Sequence, residues 1–145
     1  MRDNFKGRSA LITGGGSGIG FEIAKSLLES DIDNVILIGR NSQKLESAKQ
    51  KLGEEKTDRI HLLSIDVSDI AVMQERISEY LEQISFNVDI LINNAGVMCK
   101  QLYPLITEDE FDRVMNTNIK AVFFLSQLFS KYMIKNEIKG NILMV

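Results

Sequence analysis

Short apolar runs alternate along the chain with segments whose apolar residues recur every three or four positions. The apolar runs predict strands, and the three-to-four spacing predicts helices that bury one face. This alternation is typical of βαβ units and a parallel sheet, and it gives no sign of a linker or of separate domains. We therefore expect one α/β domain over residues 1–145. The predicted strands cover residues 9–13, 34–39, 59–65 and 89–93, and a fifth strand begins at residues 141–145.

Four helices are predicted between these strands, with start and stop signals at several ends. Gly53 is placed to end the second helix, and Ser68 or Asp69 caps the third. Thr107 and Glu110 have the spacing of a capping box, which opens a long fourth helix that ends before Gly140. The residues predicted to share the apolar faces are Ile19, Ile23, Ala24, Leu27 and Leu28, then Leu45, Ala48 and Leu52, then Ile70, Met73, Ile77, Leu81 and Ile84, and finally Phe111, Val114, Met115, Asn118, Val122, Leu125 and Phe129.

Composition excludes several partner classes. The net charge is -3 and the basic residues are scattered, so there is no basic stripe for nucleic acid. No apolar run approaches the roughly 18 residues of a membrane span, and residues 1–5 lack the apolar core of a signal peptide. A single cysteine cannot form an internal disulfide, and no cluster of His, Cys and carboxylates has metal-ligand spacing. We expect a soluble cytoplasmic protein with no bound metal.

A glycine-rich turn directly follows the first predicted strand and opens the first helix. Its sequence is Gly14-Gly15-Gly16-Ser17-Gly18-Ile19-Gly20. Glycine allows the sharp strand-to-helix turn and the close approach of a pyrophosphate, while the amides at the helix start face the phosphates. The turn lacks the Lys of a P-loop, so triphosphate hydrolysis is disfavoured. A plain structural turn of small residues is the alternative. The predicted cofactor-binding residues here are Gly14, Gly16, Ser17, Gly18, Ile19 and Gly20.

The end of the second strand bears on the choice of cofactor. NAD-binding chains usually have an acidic residue there, which accepts hydrogen bonds from the ribose hydroxyls. This chain has Gly39 followed by Arg40, and an arginine can pair with a 2′-phosphate. We therefore favour NADP(H), with NAD(H) possible. Alternatively, Arg40 merely begins a solvated loop, since Ser17 adds no second basic residue.

Together with three further motifs, the glycine turn resembles the classical short-chain dehydrogenase/reductase family, whose opening is T-G-x-x-x-G-x-G. The resemblance covers residues 6–145, and the motifs follow in the family's order. They are Thr13-Gly14 with Gly18 and Gly20, the pair Asp66-Val67 after strand three, Asn93-Asn94-Ala95-Gly96 at the end of strand four, and the helical stretch Val114 to Ala121 with Asn118.

The resemblance implies a role for each motif. Asp66 and Val67 would contact the adenine, although Asp66 also reads as a loop residue ahead of a helix cap. Asn93, Ala95 and Gly96 would lie near the nicotinamide ribose. Asn118 would help to position a water beside the family's catalytic lysine, and Asn116 is the competing candidate. The implied fold is a Rossmann-type doubly wound parallel sheet, here ending at the start of strand five, with the order 3-2-1-4-5.

The family's catalytic serine and its Tyr-x-x-x-Lys motif come after strand five, so neither position exists in this sequence. None of the three tyrosines has a lysine four residues on. We therefore expect an N-terminal, cofactor-binding part of an oxidoreductase that acts on a small carbonyl or alcohol and is inactive as given. The resemblance implies a homodimer or homotetramer for the full-length form. The alternative is a naturally short NADP(H)-binding sensor or interaction module without catalysis.

Three other residues are interpreted as structural. His61, the only histidine, lies within a predicted strand and has no evident partner. Cys99 is read as a small packing residue near the cofactor mouth. Tyr132, which has Lys135 three residues on, is read as a surface residue at the end of the fourth helix.

Overall fold

The computed structural model describes residues 5–145, without the side chains of residues 54 and 56. Within that range the strands are β1 (Ser9–Thr13), β2 (Asn34–Gly39), β3 (Ile60–Ser64), β4 (Ile90–Asn93) and β5 (Asn141–Met144). They form one parallel sheet in the order β3-β2-β1-β4-β5. This order confirms the predicted Rossmann-type topology, and the predicted strands agree with the observed ones to within one residue at each end.

Helices cover both faces of the sheet because successive strand residues point to opposite sides. Ala10 and Ile12 of β1 pack into one core cluster with the first two helices, whereas Leu11 packs into a second cluster with the third and fifth. The strand interiors are therefore apolar throughout, as a parallel sheet requires. The helices are α1 (Gly18–Glu29), α2 (Ser42–Leu52), α3 (Ile70–Gln83), α4 (Glu108–Met115) and α5 (Ala121–Lys135).

Most predicted helix ends are confirmed. Asp69, rather than Ser68, caps α3, because its side chain accepts a hydrogen bond from the Val72 amide. Gly53 ends α2 at a φ of 118°. The predicted capping box is only half formed: Thr107 Oγ1 accepts from the Glu110 amide at 3.3 Å. The Glu110 carboxylate pairs instead with Arg113, so the reciprocal bond to the Thr107 amide is replaced by a salt bridge.

The predicted fourth helix is interrupted in its middle. Residues Asn116–Lys120 form a π-helical turn between α4 and α5, so the helical path is continuous but locally wider. The prediction that Phe111 and Met115 pack inward is wrong, since they are 56% and 38% exposed. Ile19, at the start of α1, is 64% exposed against the same prediction.

A chain of polar side chains crosses the amino-terminal ends of four strands. The Asp89 carboxylate accepts from the Ser9 amide at 2.9 Å, and Asn34 Nδ2 donates to Ser9 Oγ at 3.1 Å. His61 Nε2 lies 3.1 Å from Asn34 Oδ1, and its ring packs against Phe86 at a centroid distance of 5.1 Å. The structural interpretation of His61 thus stands, but the expectation that it has no partner is wrong.

Tyr132 is not the surface residue that the sequence suggested. It is half-buried at the end of α5, where its hydroxyl oxygen accepts from the Val88 amide at 3.2 Å. Its ring meets Phe129 edge-on. Lys135 is exposed, as expected.

Across residues 5–145, no helix combines the length and the apolar character needed to cross a membrane. The expectation that the chain starts without a signal peptide falls largely on residues 1–4, which lie outside the described residues.

Candidate functional site

A cavity of about 390 Å³ opens at the carboxyl ends of the central strands. In open α/β sheets this is the edge at which ligands bind. The cavity brings together segments that are far apart in sequence: the glycine turn, the end of β2, the loop after β3 and the loop after β4. The predicted site residues that line it are Gly14, Gly16, Ser17, Ile19, Arg40, Asp66, Val67, Ala95 and Gly96.

The glycine turn is held against the sheet by its own backbone. The Gly14 amide donates to the Ile38 carbonyl at 2.8 Å, so the turn begins directly beside β2. Gly18 has a φ of 57°, in the left-handed region that favours glycine, and α1 begins there. Ser17 precedes the helix, and its side chain makes no capping bond. The first turn of α1 contains no acidic residue, so nothing in it repels a phosphate at the helix start.

Gly20 has a different role from the rest of the turn. It is buried and does not line the cavity. A Cβ there would lie 2.5 Å from the Gly14 carbonyl oxygen and 2.6 Å from Asn94 Nδ2. Gly20 therefore lets α1 pack against the turn and the loop after β4, and it acts on the site through the shape of the turn.

The loop after β4 is tied to the end of β1 by a compact hydrogen-bond set. Thr13 Oγ1 accepts from the amides of Asn94 and Ala95 at 3.0 and 2.9 Å, and Asn94 Nδ2 donates to the Thr13 carbonyl at 3.0 Å. These bonds fix the position of Ala95 and Gly96 at the cavity. Asn94 was not predicted as a site residue, although it belongs to the quoted motif.

Asn93 lies on the other side of this loop. It is 4% exposed, and its Nδ2 donates to Ser126 Oγ on α5 at 3.2 Å. It lines a second cavity of about 380 Å³, at the carboxyl ends of β4 and β5, and not the first. Asn118 lines the same second cavity.

Asn118 lies in the π-helical turn and faces the loop after β4. Its Oδ1 accepts from the Val97 amide and its Nδ2 donates to the Val97 carbonyl, both at 2.9 Å. A carboxamide has two acceptor and two donor positions, so each atom keeps one more position free for a further hydrogen bond. Asn116, the competing candidate, makes no side-chain hydrogen bond with the part of the chain that the structure describes.

Arg113 also binds the loop after β4, a contact that the sequence analysis did not predict. Its guanidinium donates to the Met98 carbonyl at 3.0 Å and forms two bonds to the Glu110 carboxylate. The hydrogen bonds from Arg113 to the carboxylate are the main cause that holds the pKa of Glu110 below its ordinary value; desolvation opposes them, and the charge of Arg113 acts in the same direction as the bonds. The signal available in the sequence was the i, i+3 spacing of opposite charges in a helix.

The charged residues that line the first cavity do not line the second one. Arg40 follows β2, and Asp66 follows β3, where its Oδ1 accepts from the Ser68 amide and hydroxyl at 3.0 and 2.7 Å. Asp66 therefore takes part in a tight local turn, and it is also one of the residues that line the cavity. Lys44, in the first turn of α2, is a second cation that the sequence analysis did not identify.

Comparison with known proteins gives a consistent picture. The family model described as short chain dehydrogenase matches residues 8–145. The chain is 32% identical over 132 residues to 2-dehydro-3-deoxy-D-gluconate 5-dehydrogenase of Bacillus subtilis, covering 91% of this chain and 50% of that protein. It is 32% identical over 145 residues to carbonyl reductase [NADPH] 2 of Sus scrofa, covering 100% of this chain and 55% of that protein.

A solved structure shares the architecture. The crystal structure of 3-ketoacyl-(acyl-carrier-protein) reductase from Brucella melitensis complexed with NADH matches with a TM-score of 0.82 and 28% identity. The match covers 97% of this chain and 57% of that one. The chain thus spans about half the length of the relatives that it matches.

Proposed function

The chain belongs to the short-chain dehydrogenase family, and we propose that it is the cofactor-binding part of an oxidoreductase that prefers NADP(H) and acts on a small carbonyl or alcohol. One observation carries the proposal. Four separate segments at the carboxyl ends of the parallel strands converge on one cavity, and each contains residues suited to a different part of a dinucleotide.

The residues that line the cavity suit the successive parts of a dinucleotide, from the adenine to the nicotinamide ribose. Asp66 presents a carboxylate that can accept from the adenine amine. The α1 amino terminus and the glycine turn provide amides for the pyrophosphate without an opposing acid. Ala95 and Gly96 leave space for the nicotinamide ribose beside the loop after β4. When bound, the nicotinamide supplies or accepts the hydride.

The preference for the 2′-phosphorylated cofactor rests on the end of β2. Gly39 has no carboxylate to accept from ribose hydroxyls, and the exposed Arg40, whose guanidinium can pair with a phosphate, lines the cavity just beyond it. A carboxylate in that position would repel a phosphate. One relative is named for NADPH and the solved reductase is complexed with NADH, so NAD(H) stays the alternative.

Asn118 is proposed as the catalytic residue that this part of the chain contributes. It faces the cavity at the ends of β4 and β5, and its two bonds to Val97 hold it there. The 145 residues contain no Tyr-x-x-x-Lys and therefore no general acid of the family's type. We propose that these residues bind the cofactor and do not by themselves turn over substrate. A homodimer or homotetramer is proposed for the full-length form.

Titration of the purified chain with NADPH and with NADH by isothermal calorimetry tests the proposal. We expect saturable binding of NADPH. Ser17→Glu, which adds a negative charge beside the α1 amino terminus, should weaken binding, whereas Ser78→Glu on the exposed surface of α3 should not. Absence of binding to either dinucleotide would contradict the proposed function. NADPH-dependent carbonyl reduction by the same chain would overturn the proposed inactivity and leave cofactor binding intact.

A further inference from the structure

Two cations, and not one, face the cavity near the end of β2. Arg40 follows the strand directly, and Lys44 lies four residues on, in the first turn of α2. The backbone of Lys44 is fixed, because its amide donates to Asn41 Oδ1, the helix cap, at 2.9 Å. Lys44 is therefore held at the start of α2, on the side of the helix that lines the cavity.

The glycine turn packs closely against this part of α2. A Cβ at Gly16 would lie 3.7 Å from the carbonyl carbon of Lys44. Lys44, Gly16 and Ser17 together line both the main cavity and a neighbouring one of about 330 Å³. The fold thus places a lysine of α2 in the lining of the same two cavities as Ser17, the turn position where the sequence offered no basic side chain.

No salt bridge in the described part of the chain neutralises the charges of Arg40 and Lys44. Neither side chain takes part in an ion pair among residues 5–145, and both are exposed. The only polar contact of Arg40 shown there is through its backbone carbonyl, which accepts from Ser64 Oγ. The Ser17 hydroxyl makes no capping bond. Two uncommitted cations and one hydroxyl on adjoining walls suit a doubly charged phosphate monoester.

We propose that Lys44 is a specificity-determining residue that, with Arg40, binds the 2′-phosphate of NADP(H). This inference rests on the proposed function and deepens it. Arg40 presents a planar fork from the end of β2, and Lys44 presents a point charge from α2. The phosphate is held from two elements, so selection of the phosphorylated cofactor does not depend on Arg40 alone.

The test measures dissociation constants for NADPH and NADH, and for the half-ligands adenosine 2′,5′-bisphosphate and 5′-AMP. Lys44→Gln should weaken NADPH and the bisphosphate about tenfold, while NADH and 5′-AMP change less than about twofold, because only the former contain the 2′-phosphate. Lys44→Arg should recover most of the affinity. Raising the salt concentration should weaken NADPH binding more in the wild type than in Lys44→Gln.

Lys51→Gln is the matched control. Lys51 lies on the same helix and lines the neighbouring cavity but not the main one, so its loss removes one charge without touching the proposed site. We expect no change in the ratio of the NADPH and NADH constants. If Lys44→Gln weakens both dinucleotides equally, or neither, the assignment of Lys44 is overturned.

The outcomes separate the two proposals. If the wild type binds neither dinucleotide, the proposed function fails and this inference fails with it. If the wild type binds NADH more tightly than NADPH, dinucleotide binding stands and the roles of Lys44 and Arg40 are wrong.

Discussion

Asn118 binds the backbone of Val97 through both ends of its carboxamide, with Oδ1 accepting from the amide and Nδ2 donating to the carbonyl at 2.9 Å each. The side chain therefore forms the pair of backbone hydrogen bonds that a neighbouring strand would form with the loop after β4. The π-helical turn makes this possible, because it widens the helix at Asn118 while Leu125 and Phe129 stay packed on the sheet. Asn118 thus holds the loop after β4, which lies at the proposed nicotinamide end of the cofactor site.

Replacing Asn118 should therefore destabilise the protein. Asn118→Ala leaves the partly buried amide and carbonyl of Val97 without these partners, and we expect the free energy of unfolding to fall by about 1–3 kcal/mol. Asn116→Ala, in the same turn, should cost less than about 0.5 kcal/mol. Urea denaturation measures both. Equal losses for the two variants would contradict the role of the Val97 contact.

Two tyrosines offer a matched comparison of satisfied and unsatisfied hydroxyls. Tyr80 has the one side-chain polar atom in the described part of the chain that is buried without a hydrogen-bond partner, and burial raises its pKa to about 12. Tyr80→Phe should leave the free energy of unfolding unchanged or raise it by up to about 1 kcal/mol. Tyr132→Phe should lower it by about 1 kcal/mol, since the Val88 amide loses its acceptor. Urea unfolding of both variants checks the contrast, and its reversal would contradict it.

The apolar runs predicted the strands well because a parallel sheet buries both faces, so its inner strands are apolar throughout. The sheet order was predicted from the resemblance to the family. The predicted burial of Ile19 on the apolar face of the first helix is wrong, because periodicity gives the direction of a side chain around a helix but not the length of the sheet beneath it. Ile19 lies on the same helix face as Ile23, but at the first turn, where it faces the cavity beyond the strand ends.

The sequence analysis predicted neither the π-helical turn nor the role proposed for Lys44. Residues 116–118, Asn-Thr-Asn, are poor helix formers, which signals a local irregularity but not its geometry. The proximity of Lys44 to the glycine turn is a tertiary contact between α2 and the loop before α1, and no local pattern encodes it. The motif residues of the cavity were accessible from sequence because each follows a strand end.

Stability should depend on pH through His61. Burial, and secondarily the positive charge of Lys49, lower the pKa of His61. The unfolded chain then binds a proton at about pH 6.5 while the folded chain does not, so the free energy of unfolding falls as the pH drops below about 6.5 toward the lower folded pKa. His61→Gln should remove this part of the pH dependence, which urea unfolding at a series of pH values measures.

The environment of His61 gives that prediction a control. Asn34, Phe86 and Lys49 are the side chains that the structure shows acting on it. Lys49→Gln should raise the pKa of His61, followed by NMR titration of the ring protons, because one of the two causes is removed. An unchanged pH slope in His61→Gln would show that other groups set the acid sensitivity.

Two glycines of the same turn should differ in how much stability they lose on substitution by alanine. Gly20→Ala puts a Cβ 2.5 Å from the Gly14 carbonyl oxygen, a backbone atom that cannot move without distorting the turn, and we expect a loss of about 1–3 kcal/mol in the free energy of unfolding. At Gly16 the nearest atom to a new Cβ is a flexible Leu45 methyl at 3.4 Å, so Gly16→Ala should change stability by less than about 1 kcal/mol.

Because Gly16 lines the cavity, its variant should still fold but bind NADPH more weakly, since a methyl group then occupies space beside the phosphates. Urea unfolding and calorimetric titration of both variants check this. Full NADPH affinity in Gly16→Ala would show that the dinucleotide does not approach the turn as proposed.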